Sequence, residues 1–231
     1  MSDSIIDVSE PLTLIGGGSL SDGDIAVART FGPTCVAADS GADAALAAGV
    51  PLAAVIGDMD SISAHARAWI PPERFHLIAE QDSTEFEKVL RSVNAPLVIA
   101  VGFAGGRIDH ELASMHTLAR RADRRIVLLG QEDVVFHCPR EITLPLPTDT
   151  RVSLFPMGPV TGRSKGLYWS IEGLSFAPAI QSGTSNRATG TVELAMDGTG
   201  MLCILPKAFT PLVVSALSAL PAHALWPARA E

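Results

Sequence analysis

The chain has 231 residues, 47% of them hydrophobic and 18% charged, which is the composition of a compact globular protein rather than a disordered one. Its formal net charge of −8, with 17 Lys and Arg, argues against a general nucleic-acid surface, because too few cations are present to neutralise a phosphate backbone. A phosphorylated ligand would need local help from a divalent cation and a few placed basic side chains.

From Leu12 to about Leu129, short apolar runs of β type alternate with alanine-rich segments of helical length. The runs are Leu12 to Ile15, Thr34 to Ala38, Ala53 to Ile56, Arg74 to Leu77, Pro96 to Val101 and Arg125 to Leu129. Between them Asp22 to Arg29, Ala42 to Ala48, Ser63 to Trp69, Thr84 to Ser92 and His110 to Arg121 read as helices. Such alternation predicts βαβ units and a mainly parallel sheet.

Beyond Asp133 the pattern changes. Pro139, Pro145, Pro147, Pro156 and Pro159 crowd the chain, and β runs follow at Arg151 to Phe155, Gly166 to Trp169, Thr191 to Met196 and Met201 to Leu205. These features predict an α/β N-terminal domain over residues 1–145 and a C-terminal all-β sandwich over 146–231. Ala208 to Ala228 lacks Lys, Arg, Asp and Glu, but Pro211, Pro221 and Pro227 speak against a membrane span. A short strand near Leu212 to Val214, a helical turn through Leu220 and a packed tail are expected there. Met1 to Glu10 is acidic and lacks a secretion-signal pattern, so the cytosol is the expected compartment. Cys35, Cys138 and Cys203 are too dispersed for a metal pair or disulfide framework and read as small buried hydrophobes.

Three strand exits end in Gly and Asp: Asp39-Ser40-Gly41, Gly57-Asp58-Met59-Asp60-Ser61, and Gly102 through Gly105-Gly106-Arg107-Ile108-Asp109-His110. Ligands of open α/β sheets bind outside the carboxyl ends of the strands, and Mg²⁺ prefers one or two carboxylates plus phosphate oxygens and water. Asp58 and Asp60 are therefore candidate metal ligands, with Asp39 and Asp109 in equivalent settings; the structural alternative is a polar turn in which Asp58 caps a helix. Gly105, Gly106 and Arg107 could approach an anion, while Asp109 could instead be the N-cap of the helix through Leu118. His110 could be a ligand, an acid or base, or an ordinary early helical residue.

Thr84 and Lys88, at i and i+4, share a helix face on which a hydroxyl and an ammonium could meet a polyphosphate. Asp82 with Glu85 also fits a capping-box variant. Gly16-Gly17-Gly18-Ser19 is a weak anion-loop signal without the P-loop lysine. Ser182 to Asn186 reads as a polar loop, and the aromatics of Gly166 to Trp169 read as core.

In order along the chain, these motifs resemble those of the thiamine pyrophosphokinase family. Asp39-Ser40-Gly41-Ala42 is similar to the family's Asp-Gly-Gly-Ala/Asn, and Gly57-Asp58-Met59-Asp60-Ser61 to its Gly-Asp-x-Asp-Ser. Asp82 to Lys88 resembles Asp-x-Thr-Asp-x-x-Lys, Gly105 to His110 resembles Gly-Gly-Arg-x-Asp-His, and Gly166 to Trp169 with Ser185-Asn186 resembles Gly-Leu-x-Trp/Tyr and Ser-Asn. The chain departs from the family at Ser40, Ser114 and Glu85, the last lengthening a carboxylate arm by one methylene.

The resemblance implies an N-terminal MgATP domain, a C-terminal β-sandwich for thiamine and dimerisation, and a homodimer with its pocket between subunits. It implies transfer of pyrophosphate from ATP to thiamine, giving thiamine diphosphate and AMP, with no nucleic-acid or membrane partner. In that scheme Asp39, Asp58, Asp60 and Glu85 bind metal; Asp58, Asp60, Asp39, Thr84 and Lys88 serve catalysis; and Gly105, Gly106, Arg107, Asp109, His110, Ser61, Ser185 and Asn186 bind ligand. Two other readings fit the residues: a kinase of another small alcohol releasing ADP, and a non-catalytic nucleotide or thiamine sensor.

Overall fold

The computed structural model describes residues 4–228, so the first three residues of the acidic opening segment lie outside the described residues. The chain divides into two compact units, one running through Ser114 with Leu128–Gln131, the other comprising Met115–Val127 and the chain from Glu132 onward.

In chain order the elements up to that point are β1 (Ile6–Asp7), β2 (Leu12–Ile15), α1 (Asp24–Phe31), β3 (Thr34–Ala38), α2 (Gly41–Ala47), β4 (Ala54–Gly57) and α3 (Ala64–Trp69). There follow β5 (Phe75–Leu77), α4 (Glu85–Ser92), β6 (Val93–Asn94), β7 (Val98–Val101), α5 (Ile108–Arg120) and β8 (Ile126–Leu129). Each expected strand and helix of this half lies within a few residues of its place in the sequence reading. The two-residue pair β1 and β6, parallel and in register at Ile6 and Val93, is too short to leave a periodic signal.

The first unit is a parallel sheet. β2 pairs with β7 on one side and β3 on the other, β3 with β4, and β4 with β5, all parallel. Every residue of β2, β4 and β7 is buried, as expected of strands covered on both faces. The chain leaves β2 toward β3, β4 and β5, then crosses back through α4 to lay β7 on the other side of β2. The order therefore reverses between β2 and β7, the kind of switch point at which α/β sheets open a crevice at the strand ends. Two glycine loops meet there. Gly18 N donates to Gly102 O at 2.8 Å, and a Cβ on Gly16 would fall 2.5 Å from the same carbonyl, so the approach requires glycine.

The second unit is built on antiparallel pairs among β9 (Asp133–His137), β10 (Glu141–Leu144), β11 (Arg151–Pro156), β12 (Gly162–Leu167), β13 (Thr184–Met196) and β14 (Met201–Pro206). β13 belongs to three ladders: Thr184 to Arg187 pair with β11, whereas Val192 to Ala195 pair with β10 on one side, and part of the same stretch pairs with β12 on the other. β11 continues through β14 to β9.

Three expectations for this half need correction. The unit is not all-β: Leu212 to Val214 lie within the helix α6 (Thr210–Ser218), whose Val213, Val214 and Leu217 are buried at helical spacing, with Pro211 in the first turn where a missing N–H costs nothing. Thr184 to Asn186 form the start of β13 rather than a loop. The strand expected at Gly166 to Trp169 is displaced to Gly162–Leu167, leaving Tyr168 and Trp169 beyond its end. The three cysteines are free and buried. Among the described residues no helix is long and apolar enough to cross a membrane.

Candidate active site

Parallel pairing fixes what stands side by side at the carboxyl ends of β7, β2, β3, β4 and β5. In that order come Gly102 to His110, Gly16 to Ser19, Asp39 to Ala42, Gly57 to Ser61 and the segment from Ile78 to Thr84. The loops touch. A side chain on Gly17 would occupy the place of Ser40 Oγ, and one on Gly106 would come within 3.2 Å of Ser19 Oγ.

Asp39, Asp58 and Asp60 each offer a carboxylate oxygen, and these atoms lie within 4.8 Å of one another. Backbone geometry produces the convergence. Asp39 adopts φ 45° and Met59 φ 65°, a left-handed conformation uncommon outside glycine, and the turn at Met59 brings Asp58 and Asp60 to the same side. Asp39 is buried; Ser61 Oγ donates to its Oδ2, while its Oδ1 is buried without a hydrogen-bond partner. An orphaned carboxylate oxygen of this kind is costly unless a cation or proton donor meets it, and three converging carboxylates suit a hard divalent cation.

The three differ electrostatically. Gln81 Nε2 donates to Asp58 Oδ2 at 2.8 Å and Asp60 N to Asp58 Oδ1 at 3.2 Å, and these bonds hold Asp58 below the usual carboxylate range. The negative charge of Asp58, followed by burial and Asp39, pushes Asp60 up. Asp58 does not cap a helix: Ser63 caps α3, accepting from Ala66 N, and is itself held by Asp43.

Lys88 is only 1% exposed, and its Nζ stands 2.5 Å from Glu85 Oε1 and 3.8 Å from Asp58 Oδ2. Burial pulls its pKa down, but Glu85 and Asp58 outweigh that and the net displacement is upward. Burial raises Glu85, with Lys88 opposing. Glu85 stands outside the trio of aspartates. Its Oε2 is buried without a partner and packs against Gly57, whose other neighbour is Asp39 Cβ. Thr84 Oγ1 accepts from Glu87 N at 3.2 Å, so Thr84 rather than Asp82 is the N-cap of α4.

Asp109 also lies apart from the trio. Arg107 grips it through Nε at 3.1 Å and Nη2 at 2.6 Å, both side chains are exposed, and the guanidinium holds the carboxyl down to about 2. Asp109 is inside the first turn of α5, which begins at Ile108, so it is not the N-cap. His110 is exposed in the same turn, and its carbonyl accepts from Ser114 Oγ at 3.0 Å. Gly105 and Gly106 take φ of 82° and 89°, and Gly105 N donates to Glu111 Oε2.

In the second unit, Asn186 is 3% exposed and clasps the backbone of Trp169, accepting from its N–H at 3.2 Å and donating to its carbonyl at 2.7 Å. Trp169 is not core: it is 56% exposed and meets Tyr168 edge-on at 4.7 Å, with Arg187 stacked on the tyrosine at 4.0 Å. Ser185 precedes Asn186 in β13 and pairs with Ser153 of β11. Sequence reasoning missed Gln81, which immediately precedes the Asp82 to Lys88 motif and carries no charge to draw attention.

A parallel sheet with a glycine-loop switch point and a carboxylate trio defines the class of open α/β proteins with a strand-end acidic site. Residues 32–128 match the family model described as "Thiamin pyrophosphokinase, catalytic domain". Thiamine pyrophosphokinase 1 of Oryza sativa subsp. japonica is 27% identical over 56% of this chain and 56% of its own length, and thiamine pyrophosphokinase 3 of the same plant is 26% identical over 59% of each. The chain thus spans little more than half the length of these curated relatives. Among solved structures, thiamin pyrophosphokinase from Geobacillus thermodenitrificans superposes with TM-score 0.70 at 22% identity, covering 87% of this chain and 99% of that one. The Candida albicans enzyme gives 0.73 at 14% identity, covering 89% and 97%. At these identities the likeness is one of fold.

Proposed function

We propose that this protein transfers a pyrophosphoryl group from ATP to the hydroxyethyl oxygen of thiamine, yielding thiamine diphosphate and AMP. The observation that carries the reading is the convergence of Asp39, Asp58 and Asp60 beside the switch-point loops, with Asp39 Oδ1 buried and unpartnered, inside the segment that matches the family's catalytic domain.

In this reading Asp39, Asp58 and Asp60 hold Mg²⁺, which when bound would neutralise triphosphate charge. Ser61 fixes Asp39. Lys88, tied to Glu85 and Asp58, limits mutual repulsion among the carboxylates, while Thr84 starts the helix that carries it. This gives Glu85 a supporting role in place of the direct metal contact inferred by resemblance. Gly105, Gly106 and Arg107 receive phosphate oxygens, with Asp109 orienting Arg107 and His110 at the edge of that loop.

The thiamine hydroxyl attacks the β-phosphorus, the bond from that phosphorus to the oxygen bridging it to the α-phosphorus breaks, and AMP departs with the oxygen. Positioning and charge stabilisation dominate such transfers, so no strong base is needed. The free oxygen of Asp60, the exposed member of the trio, takes the hydroxyl proton late. Trp169, held by Asn186 next to Ser185, presents an aromatic face of the kind that receives a planar cationic ring. A homodimer would let such a face serve a partner's catalytic unit, and the cytosol fits this chemistry.

Incubation with Mg²⁺, ATP and thiamine, followed by product analysis, tests the reading. AMP and thiamine diphosphate in equal amounts are expected; ADP with a monophosphate ester would overturn it in favour of an ordinary kinase, and tight binding without turnover in favour of a sensor.

A further inference from the structure

Resting on the cation site just described, we infer that Gln81 is a positioning residue for Asp58, and that Glu80 and Arg91 form the clamp that places Gln81. Gln81 lies in the segment linking β5 to α4, and its amide nitrogen stands nearer to Asp58 Oδ2 than Lys88 Nζ does, at 2.8 Å against 3.8 Å. With Asp60 N on Oδ1, the Asp58 carboxylate is held from both ends, so its rotation is fixed before any cation arrives. Outer partners of ligating carboxylates commonly set metal affinity in this way.

An exposed glutamine on a loop would ordinarily be a poor anchor, because ordering a long side chain costs conformational entropy. Here the loop is folded around one carboxylate. Glu80 Oε2 accepts from the backbone N–H of Asp82 at 2.8 Å and of Ser83 at 3.2 Å. Its Oε1 accepts from Arg91 Nη2 at 2.5 Å and from Ser83 Oγ, and Arg91 Nη2 also reaches Ser83 Oγ at 3.0 Å. Arg91 stands in the last turn of α4, the helix that Thr84 caps and that carries Lys88. One helix therefore supplies both the ammonium near Asp58 and the guanidinium that seats the glutamine bonded to Asp58. Gln81 sits next to Glu80, so the clamp leaves its backbone little freedom.

The test is Mn²⁺ affinity, measured by electron paramagnetic resonance on the whole protein without nucleotide or thiamine. Gln81→Ala is expected to weaken binding on the order of 10- to 100-fold with the thermal midpoint unchanged, Gln81→Glu to differ from it in pH dependence, and Arg91→Met to reproduce part of the loss. Wild-type affinity in Gln81→Ala would overturn the positioning role while leaving the cation site intact. No Mn²⁺ binding by the wild type, or undiminished binding by Asp58→Asn, would instead overturn the cation site itself.

Discussion

The ammonium of Lys88 and the carboxylate of Glu85, three residues earlier on α4, form a 2.5 Å ion pair in which the lysine is almost wholly buried. The pair stands beside two further carboxylates, Asp58 and Asp39, so the lysine is the compensating charge for more than its nearest partner. Removing one member of a buried pair leaves the other uncompensated, at a typical cost of about 3–5 kcal/mol. Lys88→Met is expected to lose stability of that size in urea unfolding. A loss below about 1 kcal/mol would mean that water already screens the pair.

Gly57 and Glu85 form a second coupled pair. A methyl group at position 57 would overlap Glu85 Oε2 and come within 3.1 Å of Asp39 Cβ. Gly57→Ala alone should therefore push the Glu85 carboxylate aside and disturb Lys88. Combining it with Glu85→Asp, which withdraws the oxygen by one methylene, should cost less than the sum of the two changes, with a coupling of about 0.5–3 kcal/mol in a double-mutant cycle. Strict additivity would place Glu85 elsewhere.

Thr84 has a structural duty that its place in the motif conceals. Thr84→Ala should lower stability by about 1 kcal/mol through loss of the N-cap, and Thr84→Ser should restore it. If the serine variant regains stability while its turnover stays low, the threonine methyl has a separate part in ligand contact.

The acid limb of the stability profile should carry the signature of Glu80. The Ser83 hydroxyl, then Arg91 and the Asp82 amide, hold its carboxyl near 2, below its ordinary value of 4.5. A depressed folded-state pKa means that the unfolded chain binds the proton first, so the contribution is complete above about 4.5 and disappears as pH falls toward 2. Glu80→Gln should be less stable than wild type at pH 7 and should approach it at pH 2, in thermal melts across that window. Parallel curves would remove the clamp.

Asp58→Asn should fold normally yet lose on the order of 10²- to 10³-fold in kcat, and chelation of divalent cations should abolish turnover reversibly. Undiminished activity after either treatment would remove the trio from the chemistry.

Apart from the two-residue strands β1 and β6, the first unit was legible because its elements are long enough, or apolar enough, to impose a period. The trio was legible in part. Asp58 and Asp60 are marked by their spacing and Asp39 by its strand exit, whereas the separation of Asp109 depends on a local bond to Arg107 that spacing cannot reveal. Glu80 and Gln81 escaped because the clamp joins residues eleven apart through a loop with no periodic signal. In the second unit, Pro and Gly punctuation hid the length of β13 and the helix α6, since long-range pairing and burial, rather than local propensity, decide both.

The meshing of Gly16 with Gly102 bears on how this protein could be altered. Each glycine occupies the room that the other's side chain would need, so neither loop can be rebuilt alone, and single substitutions there are closed to drift. Change of preference among related ligands would then enter through side chains that border the same loops, such as the hydroxyls of Ser19 and Ser40.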